Sequence, residues 1–316
     1  ALGSVEMTDH GVTLLQAVPY VRMYKGKVFV VKVGGSTLLR KDLLEGLAVD
    51  LACLHHLGMK VVLVHGGGPQ ASELSKRLGL EPRLVAGRRV TDEKVLDVVK
   101  MAFGLLNTDL TAALCAHGAG AVGLTGVGAG LIRARRRSPV RVSPGPGEAP
   151  IEVDYGLVGD VEAVEPSLLS RLLEDGRLPV LCPLVSDGKG SVFNLNADTL
   201  ACSVAQALGA EKLLFLTDAD GVLRDAARPE TLVSYADIPE IEALRDEGRI
   251  SGGMLPKVEA CIGALRGGVR RTHVLSGLRR GGLLTEVFTN AGCGTLIVDR
   301  REREVYQVER VQEPVP

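Results

Sequence analysis

Tryptophan is absent from this 316-residue chain, and aromatic residues make up only 3% of it. That leaves no series of rings on which successive nucleic-acid bases could stack. Charge of one sign is lacking too: 37 Lys and Arg stand against 38 Asp and Glu, a net charge of −1, so no overall field draws the chain to nucleic acid or to an anionic membrane. No stretch reaches the roughly 18–20 uninterrupted apolar residues that span a bilayer, and the start shows no basic segment followed by an apolar one. These absences predict a cytoplasmic protein. The six cysteines (Cys53, Cys115, Cys182, Cys202, Cys261, Cys293) form no C-x-x-C pair. Five stand among apolar neighbours and are expected to be reduced core thiols rather than metal or redox groups.

Glycine is in excess, 39 residues, roughly 12% where about 7% is usual. Without a G-X-Y period, so much glycine means many tight turns or close backbone approaches to a ligand. At 46% hydrophobic and 24% charged, the chain can bury the core of one large domain or two medium ones.

Val28–Val33 and Val61–His65 are short apolar, β-branched runs, each followed by glycines. Between them Lys41–Leu57 has helical spacing at Leu44, Leu47, Val49, Leu51 and Leu54. Similar strand runs recur at Ala121–Leu124, Val180–Pro183, Leu213–Thr217, Arg271–Leu275 and Gly294–Val298. They alternate with helical segments at Asp92–Leu106, Pro166–Asp175, Ala197–Leu208 and Lys257–Leu265. This alternation predicts an α/β fold, a mostly parallel sheet with helices on both faces. Pro139–Pro150 is expected to be an exposed loop or hairpin edge, and the Arg133–Arg137 run with Arg141 a solvated loop. A boundary between lobes is placed near Ala210.

Two glycine clusters follow predicted strands: Lys32-Val33-Gly34-Gly35-Ser36 and His65-Gly66-Gly67-Gly68-Pro69. Such turns expose backbone N–H groups where negative charge is stabilised. Neither fits the P-loop or dinucleotide pattern. Lys32 closes an otherwise apolar strand and needs an anion there. Lys257 opens a helix beside another glycine pair, Gly252-Gly253. Two lysines aimed at one point suit phosphoryl transfer, where the protein positions groups and neutralises charge; each alone also reads as a surface side chain. Asn194-Leu195-Asn196-Ala197-Asp198 reads either as a helix cap or as polar groups on one side of an extended segment. Leu216-Thr217-Asp218-Ala219-Asp220-Gly221-Val222 is a further strand end with polar groups, where open α/β sheets bind ligands. His65 reads as a structural residue that orders its glycine turn.

Together these motifs resemble the amino-acid kinase superfamily, and within it the arginine-sensitive N-acetylglutamate kinases. The resemblance runs from about Leu14 to Val298 through K-V-G-G (Lys32–Gly35), H-G-G-G-P-Q (His65–Gln70), G-R-R-V-T-D (Gly87–Asp92), N-L-N-A-D (Asn194–Asp198), L-T-D-A-D-G-V (Leu216–Val222), G-G-M-L-P-K-V (Gly252–Val258) and F-T-N-A-G-C-G-T (Phe288–Thr295). It implies a three-layer αβα sandwich with a mostly parallel central sheet. Its parts would be an N-terminal oligomerisation helix (1–24), an acceptor lobe (25–210) and an ATP lobe (211–316). The implied reaction is phosphorylation of the side-chain carboxylate of N-acetyl-L-glutamate by ATP, with Mg²⁺ bridging phosphate oxygens. By matching position, Lys32 and Lys257 would stabilise the transferring phosphoryl group and Asp198 would orient both lysines. Gly34, Gly35, Gly66 and Gly67 would supply amides, Arg89 would grip the α-carboxylate, and Asn194 would bind the substrate's other polar groups. The nucleotide would lie on Thr217, Asp218, Asp220, Gly221 and Val222 and near Gly252, Gly253 and Lys257. No metal-binding side chains are implied.

The resemblance further implies arginine as an effector held at Tyr20, Glu286 and Gly292, and a homo-oligomer, dimer or hexamer, built through the N-terminal helix. Val12–Tyr24 carries Leu14, Leu15, Val18 and Val21 at helical spacing and is too short to be stable without a partner. The alternative is that it packs on its own subunit. The motifs depart from the family at Ser36, at Ala71-Ser72 and at Leu105, where a lysine is usual. Two neighbouring readings stay open: the kinase-like, arginine-sensing domain of an N-acetylglutamate synthase, and an aminoadipate-type carboxylate kinase.

Overall fold

The computed structural model describes residues 14–34, 36–143, 149–250, 252–300 and residue 302. Helix α1 (Leu14–Tyr24) leads into β1 (Val28–Val33), α2 (Lys41–His56), β2 (Lys60–His65) and α3 (Gly68–Arg77). A small hairpin of β3 (Leu84–Val85) and β4 (Arg88–Arg89) precedes α4 (Glu93–Ala116) and β5 (Ala121–Thr125). There follow β6 (Ile132–Arg136), β7 (Val140–Val142), β8 (Ile151–Val153), β9 (Gly159–Val164), α5 (Ser167–Glu174), β10 (Leu178–Cys182), β11 (Leu184–Ser186), β12 (Val192–Asn194) and α6 (Ala197–Ala207). The last part holds β13 (Lys212–Thr217), β14 (Tyr235–Asp237), α7 (Ile238–Asp246), α8 (Leu255–Arg266), β15 (Arg271–Ser276), α9 (Gly282–Phe288) and β16 (Thr295–Val298).

Eight strands form one sheet in the order β14-β16-β15-β13-β1-β2-β10-β5. All neighbours are parallel except β15 and β16. Unbroken apolar runs such as Val-Phe-Val-Val suit strands that are covered on both faces, and β1 and β2 are buried at every position after the first. Alternation along each strand sends side chains to two cores. Val30, Val62, Val64, Leu213 and Phe215 pack with residues of α5, α6 and α8, while Phe29, Val31, Leu63 and Leu214 pack with residues of α2, α4 and α9. The strands that precede residue 210 fill one half of the sheet. Those that follow fill the other, and the halves meet where β1 pairs with β13.

Helix ends follow local chemistry. Asp92 caps α4 by accepting the Val95 N–H, Asn196 caps α6 through the Asp198 and Thr199 N–H groups, and Asp237 with Glu240 forms a capping box on α7.

Several expectations need correction. The helix from Asp92 does not stop at Leu106; it runs to Ala116 because Leu110 and Leu114 continue its buried stripe past Gly104. By length and composition α4 could cross a bilayer, but that stripe lies against the sheet. The Arg133–Arg137 segment is largely strand β6 rather than a loop. Ile132 and Ala134 face inward, and Arg136 and Arg137 pair with Asp154 and Asp160 at the surface. This strand belongs to a second sheet, β12-β11-β6-β9, that the run-length reading missed because its strands are short and half exposed. In α2, Val49 is exposed while Leu43 and Ala48 take the buried face. Of the six cysteines, Cys182 and Cys261 are buried, Cys53, Cys202 and Cys293 are half-buried and Cys115 is exposed, so two rather than five lie fully in the core. Pro139–Pro150 includes the strands β7 and the approach to β8, a hairpin edge, with residues 144–148 outside the described residues.

Candidate active site

Parity along β1 places Lys32 on the α6 and α8 side of the sheet, at the carboxyl end of its strand. There Asp198, in the first turn of α6, puts one carboxylate oxygen 2.7 Å from Lys32 Nζ and the other 3.1 Å from Lys257 Nζ. Lys257 is the third residue of α8 rather than its first. One buried carboxylate thus bridges two ammonium groups. Burial pushes the Lys32 pKa down and outweighs the attraction of Asp198, while Lys257 adds to the lowering. Burial alone would raise Asp198, but the two lysines outweigh it and hold the carboxyl below its ordinary value. One carboxylate thus serves two lysines, with no second carboxylate in the triad.

The N-L-N-A-D segment resolves into separate jobs. Asn194 ends β12, Asn196 caps α6, and Asp198 lies inside the helix, so the three do not share one side of an extended segment. A cavity of about 340 Å³ opens beside the triad, lined by Lys32, Lys257, Gly66, Gly67, Gly68, Arg89 and Asn194 among others. Its wall includes Leu84, Arg88, Phe103, Val158 and Pro183, which sequence reasoning missed. Arg88 adjoins Arg89, but the apolar members gave no signal beyond their proximity to motifs.

Arg89 is buried on that wall. Its Nη2 donates to the Gly68 carbonyl at 2.8 Å and to Ser72 Oγ at 2.5 Å, and its Nη1 has no partner. Among the described residues no carboxylate pairs with it. A buried guanidinium nitrogen without an acceptor is costly, and burial pushes its pKa down. A carboxylate ligand would satisfy it. Asn194 donates to Thr91 Oγ1 at 3.3 Å. Leu105, where the family lysine is missing, is exposed on α4 and does not line the cavity, so that departure leaves the wall unchanged.

The glycine turns need correction in part. The Gly34 N–H donates to the Leu216 carbonyl and the Gly66 N–H to the Val33 carbonyl, at 3.1 and 3.0 Å. Those two amides are used by the backbone. Gly67 and Gly68 remain at the start of α3, whose first N–H groups have no acceptor within the helix. Gly35 lies outside the described residues. At Gly67 a Cβ would fall 2.6 Å from the Phe103 ring, so glycine is required there by packing.

Of the expected nucleotide residues, Lys257 lines the cavity, whereas Thr217, at the end of β13, Asp218, Asp220, Gly252 and Gly253 do not. Asp218 and Asp220 are exposed, and Ser36 Oγ donates to Asp218 Oδ1 at 2.5 Å, tying the two strand ends together. Asp218 also adds to the favourable charge around Lys32. The Thr217 carbonyl accepts the Gly277 N–H at 2.7 Å. Gly252 and Gly253 are exposed before α8. Val222 is fully buried, its N–H donates to Thr295 Oγ1 and its carbonyl accepts from Val233. Gly221 is likewise a packing residue, since a Cβ would lie 2.6 Å from Thr295 Oγ1.

Tyr20, Glu286 and Gly292 line a second cavity of about 40 Å³ with Lys212 and His273. Helix α1 packs on its own chain there: Ala17 and Tyr24 are buried in the α2 and α9 core, whereas Val18 and Met23 are exposed. Val12 and Thr13 lie outside the described residues. Tyr20 donates to Asn290 at 2.8 Å, and Glu286 accepts from His273 Nδ1 and from the Cys293 and Gly294 N–H groups. Burial pushes Glu286 up, but these donors outweigh it and hold the carboxyl at about 2. A Cβ at Gly292, whose φ is +58°, would also strike Glu286.

Residues 27–276 match the family model described as "Amino acid kinase family". The acetylglutamate kinase of Myxococcus xanthus is 44% identical over 286 residues, covering 90% of this chain and 93% of that protein. The acetylglutamate kinase of Heliobacterium modesticaldum is 42% identical over 286 residues, covering 90% and 96%. Among solved structures, N-acetylglutamate synthase from Neisseria gonorrhoeae, complexed with coenzyme A and N-acetyl-glutamate, matches with a TM-score of 0.77 at 31% identity over 90% of this chain. This chain spans 62% of that synthase's length. Carbamate kinase from Giardia lamblia bound to AMP-PNP, at 20% identity, shares the fold with a TM-score of 0.61 over 87% of this chain and 99% of that one. Because the family match runs through both halves of the central sheet and takes in Lys32, Asp198 and Lys257, the chain belongs to the amino acid kinase family, among its acetylglutamate kinases.

Proposed function

We propose that the protein transfers the γ-phosphoryl group of ATP to the side-chain carboxylate of N-acetyl-L-glutamate, as a cytoplasmic enzyme of arginine biosynthesis. The observation that carries this reading is the buried Asp198 carboxylate bridging Lys32 and Lys257 beside a cavity walled by Arg89, whose Nη1 lacks an acceptor. An acceptor carboxylate oxygen forms a bond to the γ-phosphorus as the bond to the β,γ-bridging oxygen breaks, and the electron pair departs on ADP. The transition state is loose and anionic, so its needs are position and positive charge. Lys32 and Lys257 neutralise that charge, and Asp198 keeps both ammonium groups placed. Arg89 fixes the α-carboxylate and Asn194 the amide end of the acceptor. No covalent enzyme intermediate takes part.

Among the described residues no cluster of three His, Cys, Asp or Glu side chains is arranged to hold a metal ion. No step is assigned to magnesium, which would arrive on the phosphates of ATP. Residues 25–210 are assigned to the acceptor and residues 211–316 to the nucleotide, in keeping with the division of the sheet. Arginine is assigned to the second cavity, where the ionised Glu286 keeps lone pairs for a guanidinium beside Tyr20 and the Gly292 backbone. The exposed Val18 and Met23 on α1 support a homo-oligomer contact through residues 1–24. The Lys32–Asp198 pair favours a kinase over a purely sensing domain. Neither nucleic acid nor membrane enters this reading.

Initial rates of ADP formation with N-acetylglutamate, N-acetylaspartate, glutamate and aminoadipate test it. N-acetylglutamate should be the best acceptor by kcat/KM. Faster turnover of aminoadipate, or ADP formation indifferent to any acceptor, would overturn the assignment.

A further inference from the structure

Gly66 and Gly67 line the cavity beside Lys32, and the direction of the peptide they share is set from behind. On α4, the Asn107 amide nitrogen donates to the Val180 carbonyl at 2.9 Å and lies 3.1 Å from His65 Nε2. The carbonyl contact identifies that end of the amide as the donor, so Nε2 is the acceptor nitrogen of the ring. The ring proton then sits on Nδ1, which donates to the Gly66 carbonyl at 2.7 Å. In a planar trans peptide the carbonyl and the next N–H point in opposite directions. His65 is fully buried and is not part of the cavity wall. A Gly66 carbonyl drawn back to His65 therefore turns the Gly67 N–H forward, toward the cavity.

Two glycines make room for this arrangement. A Cβ at Gly123 would collide with Asn107 Oδ1, and one at Gly67 would collide with the Phe103 ring next to His65. The polar groups around the imidazole come from α4 and β10 and are uncharged. Burial, only partly opposed by the Gly66 carbonyl, pushes His65 down to about 4, which favours the neutral ring near pH 7.

We infer that Asn107 and His65 form a positioning relay that holds the Gly67 N–H on the oxygens of the transferring phosphoryl group. The relay rests on the phosphoryl-transfer reading above. His65 acts through the peptide, not as an acid or base. A donor fixed before the reaction needs no reorganisation as charge develops, which is where such groups lower the barrier.

The test combines a spectroscopic and a kinetic readout on the full chain. In the unaltered protein, NMR of ¹⁵N-labelled histidine should show His65 as the Nδ1–H tautomer, with its signals identified by their loss in His65→Asn. His65→Leu keeps bulk without a donor. It should lower kcat roughly 10- to 100-fold, somewhat less than outright loss of an oxyanion donor, with KM for ATP within about twofold. His65→Asn, whose side-chain nitrogen reaches the place of Nδ1, should restore most of kcat. An Nε2–H tautomer, wild-type kcat in a folded His65→Leu protein, or equal losses in the two variants would overturn the relay while leaving the parent activity intact. Absence of N-acetylglutamate-dependent turnover in the unaltered protein would instead overturn the phosphoryl-transfer reading, and the relay's purpose with it. If His65→Leu does not fold, the tautomer of the unaltered protein decides.

Discussion

Asp198→Asn removes one charge and almost no volume, and the structure says what should follow. At an effective dielectric constant near 20, a unit charge pair 2.7 Å apart attracts by about 6 kcal/mol and one 3.1 Å apart by about 5 kcal/mol. Desolvation of the three buried groups offsets most of that gross attraction. Removing one partner of a buried pair leaves the others uncompensated, a net loss of about 3–5 kcal/mol. Here two ammonium groups would be left facing each other, with only 6% and 16% of their side chains exposed. The loss should depend on pH. Without Asp198 the Lys32 pKa falls further below its unfolded value of 10.5, so the folded variant binds fewer protons than its unfolded chain. Its stability should rise with pH and close part of the gap to the wild type. At the acid end the wild type slopes the same way: the contribution of Asp198 is full above its unfolded value of 3.8 and is lost as pH falls through the lower folded value. Urea unfolding from pH 6 to 9.5 and coupled measurement of ADP release would read both effects. We expect kcat to fall on the order of 10²-fold or more. A folded variant with kcat within tenfold of the wild type, or a stability gap unchanged across that pH range, would refute the reasoning.

Arg89→Lys should raise KM for N-acetylglutamate by about tenfold or more with little change for ATP, since a single ammonium cannot replace a fork already anchored on Gly68 and Ser72; equal shifts in both KM values would contradict that placement. Gly67→Ala should destabilise by about 1–3 kcal/mol because the new methyl meets the Phe103 ring, and Phe103→Leu in the same protein should recover part of it; an unchanged urea midpoint in the single variant would contradict the packing argument. Removal of residues 1–24 should leave an active dimer insensitive to arginine, read by light scattering and inhibition curves, because the oligomer contact proposed for that helix and the Tyr20 wall of the second cavity would be lost together. A truncated protein inhibited at the same arginine concentration as the full chain would place the effector elsewhere.

The central strands were legible because parallel strands covered on both faces need unbroken apolar runs, and β1 begins and ends at Val28 and Val33, where the run does. The second sheet was not legible. In β6 the arginines of I-R-A-R-R outnumber the two inward residues, and only the pairing with β9 shows which face is buried. Lys32 stood out as the one charge in its run, but its partner became visible only when α6 was laid across β1. Val222 is fully buried although it shares a motif with the exposed Asp218 and Asp220, and a motif position does not tell which side chains reach the surface. The Asn107 to His65 contact joins residues 42 positions apart, and no local pattern announces it.

The most direct test follows the oxygen that the reaction transfers. With N-acetylglutamate labelled by ¹⁸O in its side-chain carboxylate, the product is treated with hydroxylamine, which attacks the acyl carbon and releases phosphate with its bridging oxygen. Attack by the acceptor carboxylate on the γ-phosphorus predicts one ¹⁸O atom in that phosphate, read by its ³¹P shift, and a hydroxamate at the side chain. Released phosphate free of ¹⁸O would mean that the acceptor carboxylate never bonded to phosphorus, and the account of this site would be wrong.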